Sequence, residues 1–132
     1  MILRPPSIQT FHVSPISLHR VSGTINCKNI VFRNIDDARL YPSPKILAKN
    51  IIYANCDKNF IYFTMFPHIF PHASNIFLNS HPCEAQVLSR FPSKVNIYLP
   101  QRLSTYKRRW APENPRVVVI PDEEMARLVD NY

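Results

Sequence analysis

The sequence predicts an α/β fold, an irregular solenoid-like stack of strand–helix units of about 21 residues with a short parallel sheet. Three observations carry that expectation. Phe70-Pro71-His72-Ala73-Ser74-Asn75-Ile76 returns 21 residues later as Phe91-Pro92-Ser93-Lys94-Val95-Asn96-Ile97. Asn-Ile pairs stand at Asn29-Ile30, Asn50-Ile51, Asn75-Ile76 and Asn96-Ile97, spaced 21, 25 and 21 residues apart, and one more step of 21 lands on Val117-Val118. A fixed period of roughly 20–29 residues marks one small unit stacked on copies of itself. Finally, 13 prolines leave room only for short elements, since proline lacks a backbone donor and ends helices and central strands.

The elements follow in order. Residues 1–20 are punctuated by Pro5, Pro6 and Pro15, and Ile8, Phe11, Val13, Ile16 and Leu18 nearly alternate, which suits short edge strands or an extended arm. The repeat begins at residue 24, so residues 1–23 are expected to be a proline-rich basic arm or cap and 24–132 the repeat domain. Short strands are expected at Thr24 to Ile35 in two pieces, Asn50 to Ala54, Asn75 to Leu78, Asn96 to Leu99 and Val117 to Ile120. Ile30, Ile51, Ile76, Ile97 and Val118 should then form an inward ladder. Asn59 to Phe66 reads as extended, by its aromatic and β-branched content.

Helices are expected later in the chain. Residues 82–90 place Pro82 and Glu84 in a first turn and Val87, Leu88 and Phe91 at helical spacing. Gln101 to Arg109 suits a shorter helix. Pro121 to Val129 opens with Asp122, Glu123 and Glu124 and sets Met125, Leu128 and Val129 on one face. Strands separated by helices within one sheet should be parallel.

Composition bounds the function. A chain of 132 residues fits one domain and buries roughly two-thirds of its unfolded surface. Its single glycine, Gly23, excludes glycine-rich phosphate loops and dinucleotide fingerprints. The net charge of +7 favours nucleic acid, an anionic membrane or an acidic protein as partner. Cys27, Cys56 and Cys83 are widely spaced and odd in number, which suits buried free thiols in a reducing compartment. No apolar run is long enough for a membrane span or a signal peptide, so a cytoplasmic or virion location, not a secreted one, is expected.

Each candidate for chemistry competes with a structural role. His68, His72, His81 and Cys83 supply zinc-type ligands, but Pro71 breaks the helix that would align the first two, and the spacing matches no familiar zinc module. Cys83 with His81 lacks a third, orienting group for nucleophilic catalysis. The acids at 122–124 suit a helix N-terminus better than a hydrolytic pair. The recurring Asn29, Asn50, Asn75 and Asn96 suit a ladder in which each side chain bonds the backbone of the next coil. No catalytic residue, cofactor or metal is therefore expected. Arg102, Tyr106, Lys107, Arg108, Arg109 and Trp110 interleave basic and aromatic groups and are the candidate contacts for a partner or nucleic acid. A solvated basic helix face anchored by Tyr106 and Trp110 explains the same stretch.

A short strand, a recurring asparagine and a helical return in about 21 residues resemble the leucine-rich-repeat class of solenoid over about residues 24–132. The repeated apolar positions here are Ile, Val and Phe, and the resemblance implies architecture alone. Ser80-His81-Pro82-Cys83-Glu84, Val87-Leu88-Ser89-Arg90-Phe91-Pro92 and Tyr106-Lys107-Arg108-Arg109-Trp110 are similar to phrases in short repeat proteins of marseillevirus-type large DNA viruses. That likeness implies a viral protein and a virion component. The functional expectation is a non-enzymatic structural or protein-interaction protein, a minor capsid component bridging other proteins. The alternative is a nucleic-acid-associated protein using residues 102–110. The N-terminal apolar strip must cap the first coil near Ile25 or dock on a partner.

Overall fold

Six parallel strands lie side by side in chain order. The computed structural model describes residues 8–80, 87, 90–92, 94–104 and 116–132. The main sheet runs β1 (Ile8–Val13), β3 (Cys27–Arg33), β5 (Asn50–Ala54), β6 (Asn75–Asn79), β7 (Asn96–Pro100) and β8 (Val117–Ile120). A second, two-stranded parallel sheet joins β2 (Thr24–Ile25) to β4 (Lys45–Ile46). Two α-helices, α1 (Lys58–Thr64) and α2 (Asp122–Asn131), and two 3₁₀ turns, Leu18–Arg20 and Gln101–Leu103, are the other described elements.

The Asn-Ile pairs set the register. Asn29 lies beside Asn50, Asn50 beside Asn75 and Asn75 beside Asn96, with Ile30, Ile51, Ile76 and Ile97 in the next row. The row continues to Val117, not to the expected Val118. The last step is thus one residue shorter than the repeat. Side chains alternate along a strand, so a one-residue offset exchanges the two faces. Val117 joins the inward row, while Val118 lies against the opposite cluster.

The sheet is buried on both faces, so its central strands read as continuous apolar runs. One face carries Ile30, Phe32, Ile51, Tyr53, Ile76, Leu78, Ile97 and Leu99 into the main core. The other carries Val31, Ile52, Ala54 and Phe77 against Met125 and Val129 of α2. Tyr53, Phe32 and Phe60 pack ring to ring, with centroids 5.3 Å apart for Phe32–Tyr53 and 5.2 Å for Phe32–Phe60.

The segment expected to be extended at Asn59 to Phe66 is instead mostly helix α1. Asp57 caps it by accepting the backbone N–H of Asn59 at 2.8 Å. Phe60, Ile61 and Thr64 then fall on the core side. The Tyr53 and Thr64 hydroxyls are 2.9 Å apart, and Thr64 donates back to the Phe60 carbonyl at 2.7 Å. Burial of the Phe60 ring outweighs the weak intrinsic strand preference of this aromatic stretch. Arg90 closes the helix, donating from Nη1 to the Tyr62 carbonyl at 2.7 Å while stacking over Phe66 at 4.0 Å.

Uniform strand–helix units do not hold in the first half. Among the described residues, neither the β1–β3 nor the β3–β5 connection contains an α-helix. Pro15, Pro42 and Pro44 interrupt these stretches, and each removes a donor that a helix would need. The chain returns instead through β2 and β4. Gly23, at φ +65°, accepts the Lys45 N–H at 2.8 Å, and Ile46 donates to the Ile69 carbonyl at 2.7 Å. Thr24 to Ile35 does form two pieces, though they belong to different sheets.

β1 lies along the edge of β3, burying Val13 and packing Phe11 on the main core. Ile16, counted in the same apolar strip, is 85% exposed. Helix 82–90 falls largely outside the described residues. The described start of Gln101 to Arg109 is a 3₁₀ turn, Gln101–Leu103. The expected C-terminal helix is present as α2 and lies across the second sheet face.

Candidate functional site

Two asparagine ladders run across the sheet, one at each end of the strands. At the strand starts, Asn50 Nδ2 donates to Asn29 Oδ1 at 2.8 Å and Asn75 Nδ2 to Asn50 Oδ1 at 2.9 Å. Asn29 Nδ2 extends the row to Thr10 Oγ1 at 3.1 Å. These bonds join side chain to side chain, not side chain to backbone as expected. In-register parallel strands bring equal residues within about 5 Å, the spacing at which one amide's donor meets the next amide's acceptor. Asn96 is in register, but the described bond to Asn75 Oδ1 comes from the Tyr98 hydroxyl at 3.4 Å.

The second ladder lies where β3, β5 and β6 end. Asn34 and Asn55 adopt φ of 56° and 55°, the left-handed region that asparagine tolerates better than most residues. This conformation turns the chain out of the sheet while each backbone N–H still reaches the neighbouring strand, at Ala54 O and Asn79 O respectively, both 3.0 Å. Asn55 Nδ2 donates to Asn34 Oδ1 at 2.8 Å. The 21-residue spacing of Asn34 and Asn55 is the sequence signal for this ladder.

These strand ends line a cavity of about 500 Å³. Arg33, Asn34, Asn55, Asn79 and Ser80 form its sheet side, and Arg102 and Leu103 follow from the turn after β7. Ala126, Val129 and Asp130 of α2 form the opposite wall.

The polar groups are held in place by the fold. Arg33 Nη2 donates to the Val129 carbonyl at 2.8 Å, so the end of β3 caps the last turn of α2. No carboxylate pairs with Arg33 among the described residues. Arg102 donates from Nη2 to Asn79 Oδ1 at 2.7 Å, and its backbone N–H reaches Asp122 Oδ1 at 3.0 Å. Its guanidinium also stands 3.8 Å from that carboxylate, with both side chains half exposed, so the pair adds little stability. Ser80 Oγ accepts from the Cys56 N–H at 2.9 Å and donates to the Tyr53 carbonyl at 2.8 Å. Asn34 Nδ2 and Asn79 Nδ2 have no partner among the described residues. The arrangement is rich in donors and poor in acceptors, apart from Asp130 and Asn55 Oδ1.

Of the six candidate contacts, Arg102 therefore sits at this cavity. Tyr106, Lys107, Arg108, Arg109 and Trp110 lie outside the described residues. So do His81 and Cys83, while His68 and His72 are exposed on turns. No group of three His, Cys, Asp or Glu able to hold a metal occurs among the described residues. Cys27 and Cys56 are free and buried, and burial pushes each thiol from near 9 up to about 11. No described helix is long and apolar enough to cross a membrane.

Comparison with known proteins finds viral relatives. An uncharacterized protein of Acanthamoeba polyphaga mimivirus is 29% identical over 109 residues, covering 83% of this chain and 76% of the relative. A second uncharacterized protein of the same virus is 35% identical over 71 residues, covering 54% of this chain and 51% of the relative. The chain thus spans about half the length of that second protein. No solved structure matches. The asparagine register begins at Asn29-Ile30, and from residue 30 to residue 111 the sequence matches a family of unknown function, DUF5845, to which this chain belongs.

Proposed function

We propose that this chain is a non-enzymatic structural or protein-interaction protein, a minor virion component that bridges other proteins. The strand-start ladder carries this reading. Its amides are engaged with one another across Thr10, Asn29, Asn50 and Asn75, so the recurring polar residues serve the cohesion of a rigid stack. Such a stack, read here as a solenoid-like relative of leucine-rich-repeat architecture, offers an extended surface to a partner. The net charge of +7 suits an acidic one. The similarity to mimivirus proteins supports a viral setting. Quantitative mass spectrometry of purified particles tests the proposal. A fixed copy number relative to the major capsid protein is expected, and absence from particles overturns the virion assignment.

A second reading is favoured by the basic stretch from Arg102 to Trp110, a nucleic-acid-associated protein. It requires tight DNA or RNA binding with a steep salt dependence. Changing Lys107, Arg108 and Arg109 together to glutamine must abolish that binding. Weak binding insensitive to the triple change eliminates this reading.

A further inference from the structure

We propose that the strand-end cavity binds a small organic anion, with its phosphate or carboxylate held by Arg33, Arg102 and the free amide donors of Asn34 and Asn79. This site is independent of the bridging role, which concerns the outer surface.

Position is the first argument. Loops at the carboxyl ends of parallel strands are a common place for binding groups, because a rigid sheet there presents side chains from several successive turns. The cavity lies there, at the ends of β3, β5 and β6. Its volume of about 500 Å³ falls within the usual range for a small-molecule site, roughly 300–1,000 Å³.

Chemistry is the second. Arg33 is fixed by the Val129 carbonyl, yet a guanidinium carries further N–H donors in the same plane. No acid neutralises it among the described residues. Arg102 is oriented by Asn79 Oδ1, a bond that leaves Asn79 Nδ2 available. Likewise the bond from Asn55 fixes Asn34 through Oδ1 and frees Asn34 Nδ2. Donors held in advance lose little freedom on binding, which is how preorganised sites gain affinity. Charge-assisted bonds from guanidinium to phosphate or carboxylate are the strong ones.

Asymmetry is the third. Asp130 lines the cavity from α2, and Asn55 Oδ1 adds an acceptor. Leu103 from the turn after β7, with Ala126 and Val129 of α2, gives the cavity an apolar floor. An anion that also carries hydroxyl or amino groups fits this lining, as sugar phosphates and amino-acid carboxylates do. A bare inorganic anion leaves the acceptors and the apolar floor unused.

The test is isothermal titration of the full chain with ribose 5-phosphate, glutamate and inorganic phosphate. Saturable one-to-one binding of either organic anion, tighter than inorganic phosphate, is expected, and the better of the two identifies the anionic group. Arg102→Gln and Asn34→Gly should each weaken it about tenfold. Asn34→Gly keeps the left-handed backbone, and Arg102 is half exposed, so both variants retain the fold. Arg33→Gln should abolish binding, with its melting temperature followed because it also uncaps α2. Lys49→Gln, at the opposite end of β5, should bind as the parent does. No saturable binding up to about 10 mM overturns the proposal. So does binding of inorganic phosphate alone, or an equal loss in Lys49→Gln.

Discussion

Asn50 donates its side-chain amide to the side-chain carbonyl of Asn29 at 2.8 Å, across two strands whose residues lie 21 apart in the chain. The acceptor belongs to a residue only 6% exposed, in a part-buried bond, so losing the donor leaves it little access to water. Removing one partner of a buried hydrogen bond costs more than the bond itself contributes. Asn50→Ala breaks two rungs and should lower unfolding free energy by about 1–3 kcal/mol, measured by urea denaturation. Asn55→Gly, on the exposed second ladder, should cost much less. Equal stability of Asn50→Ala and the parent would show that the ladder adds no cohesion.

Helix α1 depends on Phe60, which is fully buried against Phe32 and Tyr53. Phe60→Ala should cost about 3–5 kcal/mol, by lost transfer free energy and by the cavity it leaves. Phe63 is half-buried and stacks under Arg39 at 3.9 Å, so Phe63→Ala should cost clearly less. Thermal unfolding of the two variants gives the comparison. A milder effect at Phe60 than at Phe63 contradicts the packing described.

Helix α2 is held to the sheet along its buried face and, through Arg33, at its C-terminal end. Met125→Ala should cost about 2–5 kcal/mol, since Met125 has no exposure and its cluster lies on the second sheet face. Arg33→Met removes the charged donor from the Val129 carbonyl and should cost about 1.5–3 kcal/mol. Hydrogen exchange should report faster opening of the α2 amides in both. Unchanged exchange there would rule out the latch.

The two buried thiols predict an alkaline loss of stability. Burial raises Cys27 and Cys56 from near 9 to about 11, so the folded state holds these protons more tightly than the unfolded chain. Their contribution is complete below pH 9 and declines as the pH rises toward 11. Denaturant midpoints should therefore fall across that window, and less so in a Cys27→Ala, Cys56→Ala double variant. Native-state alkylation of both thiols should be slow at pH 8, because the thiolate is the reactive form. Rapid labelling of Cys56 without unfolding would contradict its burial, with the thiol 3.2 Å from the Phe32 carbonyl.

The strand rows were legible because register in a parallel stack is written as chain spacing. Asn29, Asn50, Asn75 and Asn96 announce the period, and β-branched or aromatic neighbours mark the strands. The short last step to Val117 was not legible, since Val117, Val118 and Val119 are chemically alike and only the facing clusters distinguish them. Asn59 to Phe66 misled for a related reason. Its aromatic content favours a strand locally, while Asp57 capping and the Phe32–Tyr53 pocket for Phe60 decide for a helix. Of the cavity, Arg102 is legible only as the start of a basic and aromatic stretch suited to partner contact, and the 21-residue spacing of Asn34 and Asn55 is visible in the sequence. Arg33 gave no local sign, because its role depends on a helix 96 residues away in the chain.

What the sequence by itself determined is the set of strands, their order and their approximate register. Short-range patterns suffice for these, because each unit repeats its neighbour's apolar and amide positions. The tertiary structure alone decided which sheet face α2 covers, how Arg33 and Arg90 close the two helices, and where a cavity opens. Those outcomes rest on contacts between distant segments. They are selected by burial of Met125, Val129 and Phe60 and by guanidiniums meeting helix-end carbonyls, and neither the period nor the local composition encodes them.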